Sequence, residues 1–241
     1  MRLALFGSIF LLATTIASAE TSIPVCTSGG TLASYIALGA GGCTIEDKVF
    51  FNFSGNITGN VPLSTSSIFI TPITTALNPG ISVNPNMSVS NITGVGDFFQ
   101  DLALHFSVRT LDSGARIEDV SLGLAGGAVG TGATSINEFV CVGAAFANPL
   151  SGTGCPGGKE LVNINVANPP PILFVDKTFA SLTNFVDVFK DVAVHSGTLG
   201  NASISSFTQQ FSEVPVPEPL NVILLGTALL AVAPILRRRL R

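Results

Sequence analysis

The sequence predicts an all-β protein: an antiparallel β-sandwich or jelly-roll-like ectodomain, followed by a single C-terminal transmembrane helix. Three observations carry that expectation. Apolar and polar residues alternate with period two through much of residues 20–213. Turn-forming clusters interrupt the alternation at short intervals, and one long apolar run is confined to the C-terminal end. Period two places alternate side chains on one face of a strand, and frequent turns favour hairpin-connected sheets over helix-crossed ones.

At the N-terminus, Arg2 precedes an apolar run from Leu3 to Ala13, and Ala17-Ser18-Ala19 stands before Glu20. A basic residue, an apolar stretch of this length and a small-x-small site form a secretory signal, so residues 1–19 are expected to be removed by signal peptidase. Such a run is too short to cross a ~30 Å hydrocarbon core as a straight helix. Next, Leu32, Tyr35 and Ile36 fall at helix-compatible spacing within Thr31–Leu38, closed by Gly39. A short helix is expected there, inside the first cysteine pair.

The strands follow. Leu102, Leu104, Phe106 and Val108 alternate with Ala103, His105, Ser107 and Arg109. Val120, Leu122 and Leu124 form a second set, and Val162, Ile164 and Val166 a third. In the fourth, Val186, Val188, Val192 and Val194 share one parity, interrupted by Lys190. Turn signals separate these runs, among them Asn78-Pro79-Gly80, Pro156-Gly157-Gly158 and Asp112-Ser113-Gly114, the last read as a hairpin connection. No repeat and no linker interrupt residues 20–213, which are expected to form one domain.

Four cysteines allow three disulfide pairings. The local pairs Cys26–Cys43 and Cys141–Cys155, 17 and 14 residues apart, are favoured. A metal site is the rival reading, but there is no Cys-x-x-Cys and no histidine near either pair. Staples of this kind suit an exported chain, because disulfides persist in oxidising compartments.

Catalytic chemistry is sought and not found. His105 and His195 sit on alternating strands among polar neighbours and are read as solvent-facing; no Gly-x-Ser-x-Gly elbow surrounds a serine. The carboxylate pairs are Asp97 with Asp101, Glu118 with Asp119, and Asp187 with Asp191. Four residues on a strand would separate the last pair by about 13 Å, beyond the ~5 to 9.5 Å of glycoside hydrolysis. An exposed aromatic platform for sugars has one candidate, Tyr35. No catalytic, cofactor-binding or metal site is expected. With 15 acidic residues against 11 basic, a nucleic-acid partner is not expected either.

Three segments close the chain. Val214-Pro215-Val216-Pro217-Glu218-Pro219 is incompatible with helix. Leu220–Leu236 is an apolar stretch of 17 residues, and Arg237, Arg238, Arg239 and Arg241 end the sequence. As a helix the stretch measures roughly 26 Å, the short end of a membrane span. The arginines would remain cytoplasmic, leaving the body of the protein outside.

Pro217-Glu218-Pro219, an apolar helix and a terminal arginine cluster, in that order, resemble the PEP-CTERM sorting signal of Gram-negative bacteria. The resemblance covers residues 214–241. It implies recognition by an exosortase, a membrane-embedded cysteine transpeptidase or protease that cuts near the motif. The helix would then be a transient anchor in the inner membrane. Within the body, Cys26, Leu32-Ala33-Ser34-Tyr35-Ile36, Gly42-Cys43-Thr44-Ile45 and Phe50-Phe51-Asn52-Phe53 resemble an N-terminal signature of some secreted members of that group. Lys190-Asp191-Val192-Ala193-Val194 and Ala202–Phe211 are similar to their last strands.

The expected function is that of an exported, exosortase-sorted protein of the cell surface or extracellular matrix. It would have a structural or adhesive role in biofilm or exopolysaccharide, with no catalysis and no cofactor. The alternative is a surface domain that binds or hydrolyses polysaccharide, since β-sandwiches host both kinds of function.

Overall fold

The structure, a computed structural model, describes residues 22–111, 115–157 and 159–215. The expected signal peptide, the Pro217-Glu218-Pro219 motif, the membrane helix and the arginine cluster lie outside them. No helix among the described residues is long and apolar enough to cross a membrane.

In chain order, the strands begin with β1 (Gly30–Thr31), β2 (Cys43–Ile45), β3 (Lys48–Gly59), β4 (Phe69–Ile73), β5 (Gly80–Asn84), β6 (Met87–Asn91) and β7 (Phe99–Thr110). They continue with β8 (Ala115–Gly130), β9 (Ala133–Val142), β10 (Glu160–Asn168), β11 (Phe174–Thr183), β12 (Phe185–His195), β13 (Gly200–Gln210) and β14 (Glu213–Pro215). One sheet has six strands in the order β10-β9-β12-β7-β3-β2. The other has eight: β1-β4-β5-β13-β8-β11, with β6 paired to β13 and β14 paired to β8. Both sheets are antiparallel, and the architecture is that of a β-sandwich.

The alternating residues explain the packing. Leu102, Leu104, Phe106 and Val108 of β7 and the four valines of β12 are fully buried between the sheets. Val120 and Leu122 of β8 with Ile204 and Phe207 of β13 meet them from the facing sheet. Each such side chain contributes roughly 1.5–3 kcal/mol through loss of apolar surface to water. Phenylalanines pack on one another within this core: Phe53 stacks on Phe106 at 5.3 Å, and Phe50 lies 6.0 Å from Phe211.

The short helix is α1 (Leu32–Ala37), capped by Thr31, whose Oγ1 accepts from the Ser34 N–H at 3.2 Å. Its Leu32 and Tyr35 are buried. The disulfides are Cys26–Cys43 and Cys141–Cys155, the two local pairs.

Two expectations change. The strands flanking residues 112–114 do not form a hairpin: β7 lies in the six-stranded sheet and β8 in the eight-stranded one. Each already has neighbours on both sides, β3 and β12 for β7, β13 and β11 for β8, so the two strands belong to different layers. The sandwich also runs past residue 213, because β14 pairs Val214 with Arg116 and Pro215 with Ala115. Lys190, the polar break in the β12 alternation, is fully buried on the core face. It contacts Glu138 of β9 and Gln209 of β13.

Candidate functional site

A bulge in β3 creates the most developed polar site. Phe51 pairs with Ser107 of β7, but the next paired residue, Ser54, meets His105, so β3 carries one extra residue there. Asn52 takes it up at φ 55°, a left-handed conformation that asparagine tolerates better than most residues. The extra residue reverses the parity of the strand. Phe50 faces the core before it, Phe53 faces the core after it, and Ser54 therefore turns to the outer face of the six-stranded sheet.

On that face three neighbouring strands present Ser54 (β3), His105 (β7) and Asp187 (β12). Ser54 Oγ lies 3.2 Å from His105 Nδ1, and His105 Nε2 lies 2.9 Å from Asp187 Oδ1. The carboxylate takes two further donors: Ser107 Oγ at 2.5 Å and the backbone N–H of Phe146 at 2.8 Å. Asp187 is 1% exposed and His105 4%, the opposite of the solvent-facing position expected for His105. The cover is the segment after β9. Residues 143–155 fold back over the outer face, tied down by Cys141–Cys155, and bury Phe146 with Phe189 and Cys141.

The chemistry follows from the donors. In the tautomer whose Nε2–H donates to the Asp187 carboxyl oxygen, the Nδ1 lone pair is left toward Ser54. The Ser54 hydroxyl then donates to Nδ1, which is the arrangement of an activated nucleophile, its base and an orienting carboxylate. The ring nitrogens are used in the reverse order from the serine proteases, where Nε2 faces the serine. Ser54 opens on a cavity of about 350 Å³ that also touches Gly39, Asn52 and Pro149. A second hollow of about 460 Å³ over Asn148–Ser151 shares Ser54 and Pro149 with it.

The other carboxylates are dispersed. Asp101 and Asp191 share a hydrogen bond on the same outer face. The Asp101 pKa is pushed up to about 6 by burial, by the Asp191 charge and by that bond. Asp97 accepts from the Gly197 N–H at 2.8 Å and lies 3.3 Å from His195 Nδ1, at a half-exposed edge. His195 thus keeps the exposed position expected of it. Glu118 and Asp119 lie on β8 in the other sheet, where Asp119 Oδ1 accepts from the Ser212 N–H. Tyr35 is no sugar platform: it is 2% exposed and packs edge-on to Phe53. Among the described residues no group of three metal-ligating side chains converges.

Ser54 carries no sequence signature of a nucleophile. Its signal is the broken alternation of Phe50, Phe51 and Phe53, which marks the bulge that turns it outward.

No family model and no curated protein matches the chain. Among solved structures, it is similar to the enzymatically active domain of bacteriophage CBA120 tailspike protein 4, at 10% identity and a TM-score of 0.25. The match covers 68% of this chain and 19% of that one, and at that TM-score it carries no argument.

Proposed function

We propose that the chain is an exported, exosortase-sorted surface or extracellular-matrix protein with a structural or adhesive role. The observation that carries this reading is the pair of disulfides, Cys26–Cys43 and Cys141–Cys155, since such bonds persist outside the reducing cytoplasm. The N-terminal secretory pattern and the Pro217-Glu218-Pro219 tail agree with it. In this reading signal peptidase and exosortase act during export, the inner membrane holds the precursor, and exopolysaccharide surrounds the mature domain. Intact-mass analysis of the secreted protein from its native cell tests it. Material beginning at Glu20 and lacking Leu220–Arg241 is expected, and a secreted product that retains the arginine cluster overturns the sorting step.

The Ser54–His105–Asp187 row favours a second reading, in which the exported domain hydrolyses acyl esters carried by a polysaccharide. Ser54 would attack the acyl carbon and His105 would take its proton. A fluorophosphonate probe is the test: labelling of Ser54 that disappears in Ser54→Ala and His105→Ala supports it. A folded wild-type protein that takes no label removes it.

A further inference from the structure

The core between the sheets holds one group of polar side chains that needs an explanation. Lys190 of β12 stands directly across from Glu138 of β9 in the strand register, and Gln209 of β13 reaches them from the facing sheet. All three are 0% exposed. Their flanking neighbours in the same layer are Val188, Val192, Ile136 and Val140, all fully buried. The Phe207 ring centroid lies 5.8 Å from Lys190 Nζ. Nζ contacts Glu138 Oε2 and Gln209 Oε1, while Glu138 Oε1 and Gln209 Nε2 have no partner. A buried polar atom without a partner destabilises the fold, and this group leaves two of them.

We propose that Lys190 and Gln209 become joined by an intramolecular amide bond, with Glu138 carrying the proton. Burial holds the Lys190 pKa well below the usual lysine value, so a neutral amine with a free lone pair is accessible there. That lone pair attacks Gln209 Cδ, forming the Nζ–Cδ bond as the carbonyl electrons move onto Oε1. Glu138, which holds the proton the Lys190 ammonium gave up, delivers that proton to Nε2 and takes a second one from Nζ, so it ends protonated. The Cδ–Nε2 bond then breaks, its electron pair leaves with nitrogen, and ammonia departs as the carbonyl reforms. One amine and one primary amide give one secondary amide and ammonia, with no oxidant or co-reactant.

The product accounts for the orphaned atoms. Nε2 is gone, the new N–H donates to one Glu138 oxygen, and the protonated other oxygen donates to Gln209 Oε1. The bond would tie the two sheets together through β12 and β13, whichever reading of the Ser54 cleft holds.

Peptide mapping of the full-length protein, reduced and denatured, tests the proposal. A branched peptide joining the Lys190 and Gln209 segments is expected, lighter than its two parts by one ammonia and uncut by trypsin after Lys190. Glu138→Gln should fold, by circular dichroism and disulfide content, and give the two linear peptides instead. Free Lys190 and Gln209 in the folded wild-type protein overturn the bond. A branch at Glu138 with loss of one water overturns the choice of Gln209, and full cross-linking in Glu138→Gln overturns the role of Glu138.

Discussion

Asp187 shows how much one side chain organises. Its two oxygens gather an imidazole, a hydroxyl and a backbone N–H at a buried position. Asp187→Asn keeps the shape but places an amide where one of those donors needs an acceptor. It should destabilise the protein by roughly 1–3 kcal/mol, read in chemical denaturation. Asp101 behaves differently. Its carboxyl binds a proton more readily folded than unfolded, so its favourable contribution is complete below about pH 4, the unfolded value. That contribution is lost as pH rises through about 6. Asp101→Asn should therefore melt above wild type at pH 7 and show no such gain at pH 4; an equal shift at both values would contradict the assignment. At this scale the sequence was legible where burial is between sheets, as in Leu104 or Val188. It misled at His105 because alternation names a face of the strand without saying whether other chain covers it.

Among the elements, the segment after β9 is decisive because it covers part of an outer sheet face and leaves a cleft beside Ser54. Nothing in its composition announces this: Ala144, Ala145, Phe146 and Ala147 follow no strand or helix period, so only the cysteine spacing marks it as fixed. Replacing Cys141 and Cys155 with serine should cost roughly 3 kcal/mol for a loop of this length. The Phe146 amide should exchange faster with deuterium in that variant, because the disulfide presses it onto Asp187. Unchanged protection at Phe146 would show that packing of Phe146 and Phe189 alone holds the cover. The helix α1 was legible from Leu32, Tyr35 and Gly39, all local signals. The crossing from β7 to β8 was not, because Asp112-Ser113-Gly114 fits a hairpin and only the occupied edges of both strands forbid one.

For the whole molecule, composition and alternation were enough to anticipate two packed antiparallel sheets, since each inward face needs an opposing apolar layer. Strand order was out of reach, because pairing among strands distant in sequence leaves no periodic trace. That order has one notable property. In the eight-stranded sheet, β4, β5 and β6 lie on one side, β8, β11 and β14 on the other, and β13 alone connects them. A chain ending at Leu199 should consequently lack a single cooperative unfolding transition and bind a hydrophobic dye; a sharp native-like melt would refute this. The same property governs the order of events in time. In that sheet β4, β5 and β6 must wait beside β8 and β11 until residues 200–210 arrive to join them. Folding is thus gated by the last long strand, with slow kinetics set by non-local pairing. A chaperone that shields unpaired strand edges during that interval would have most to protect at β5 and β8.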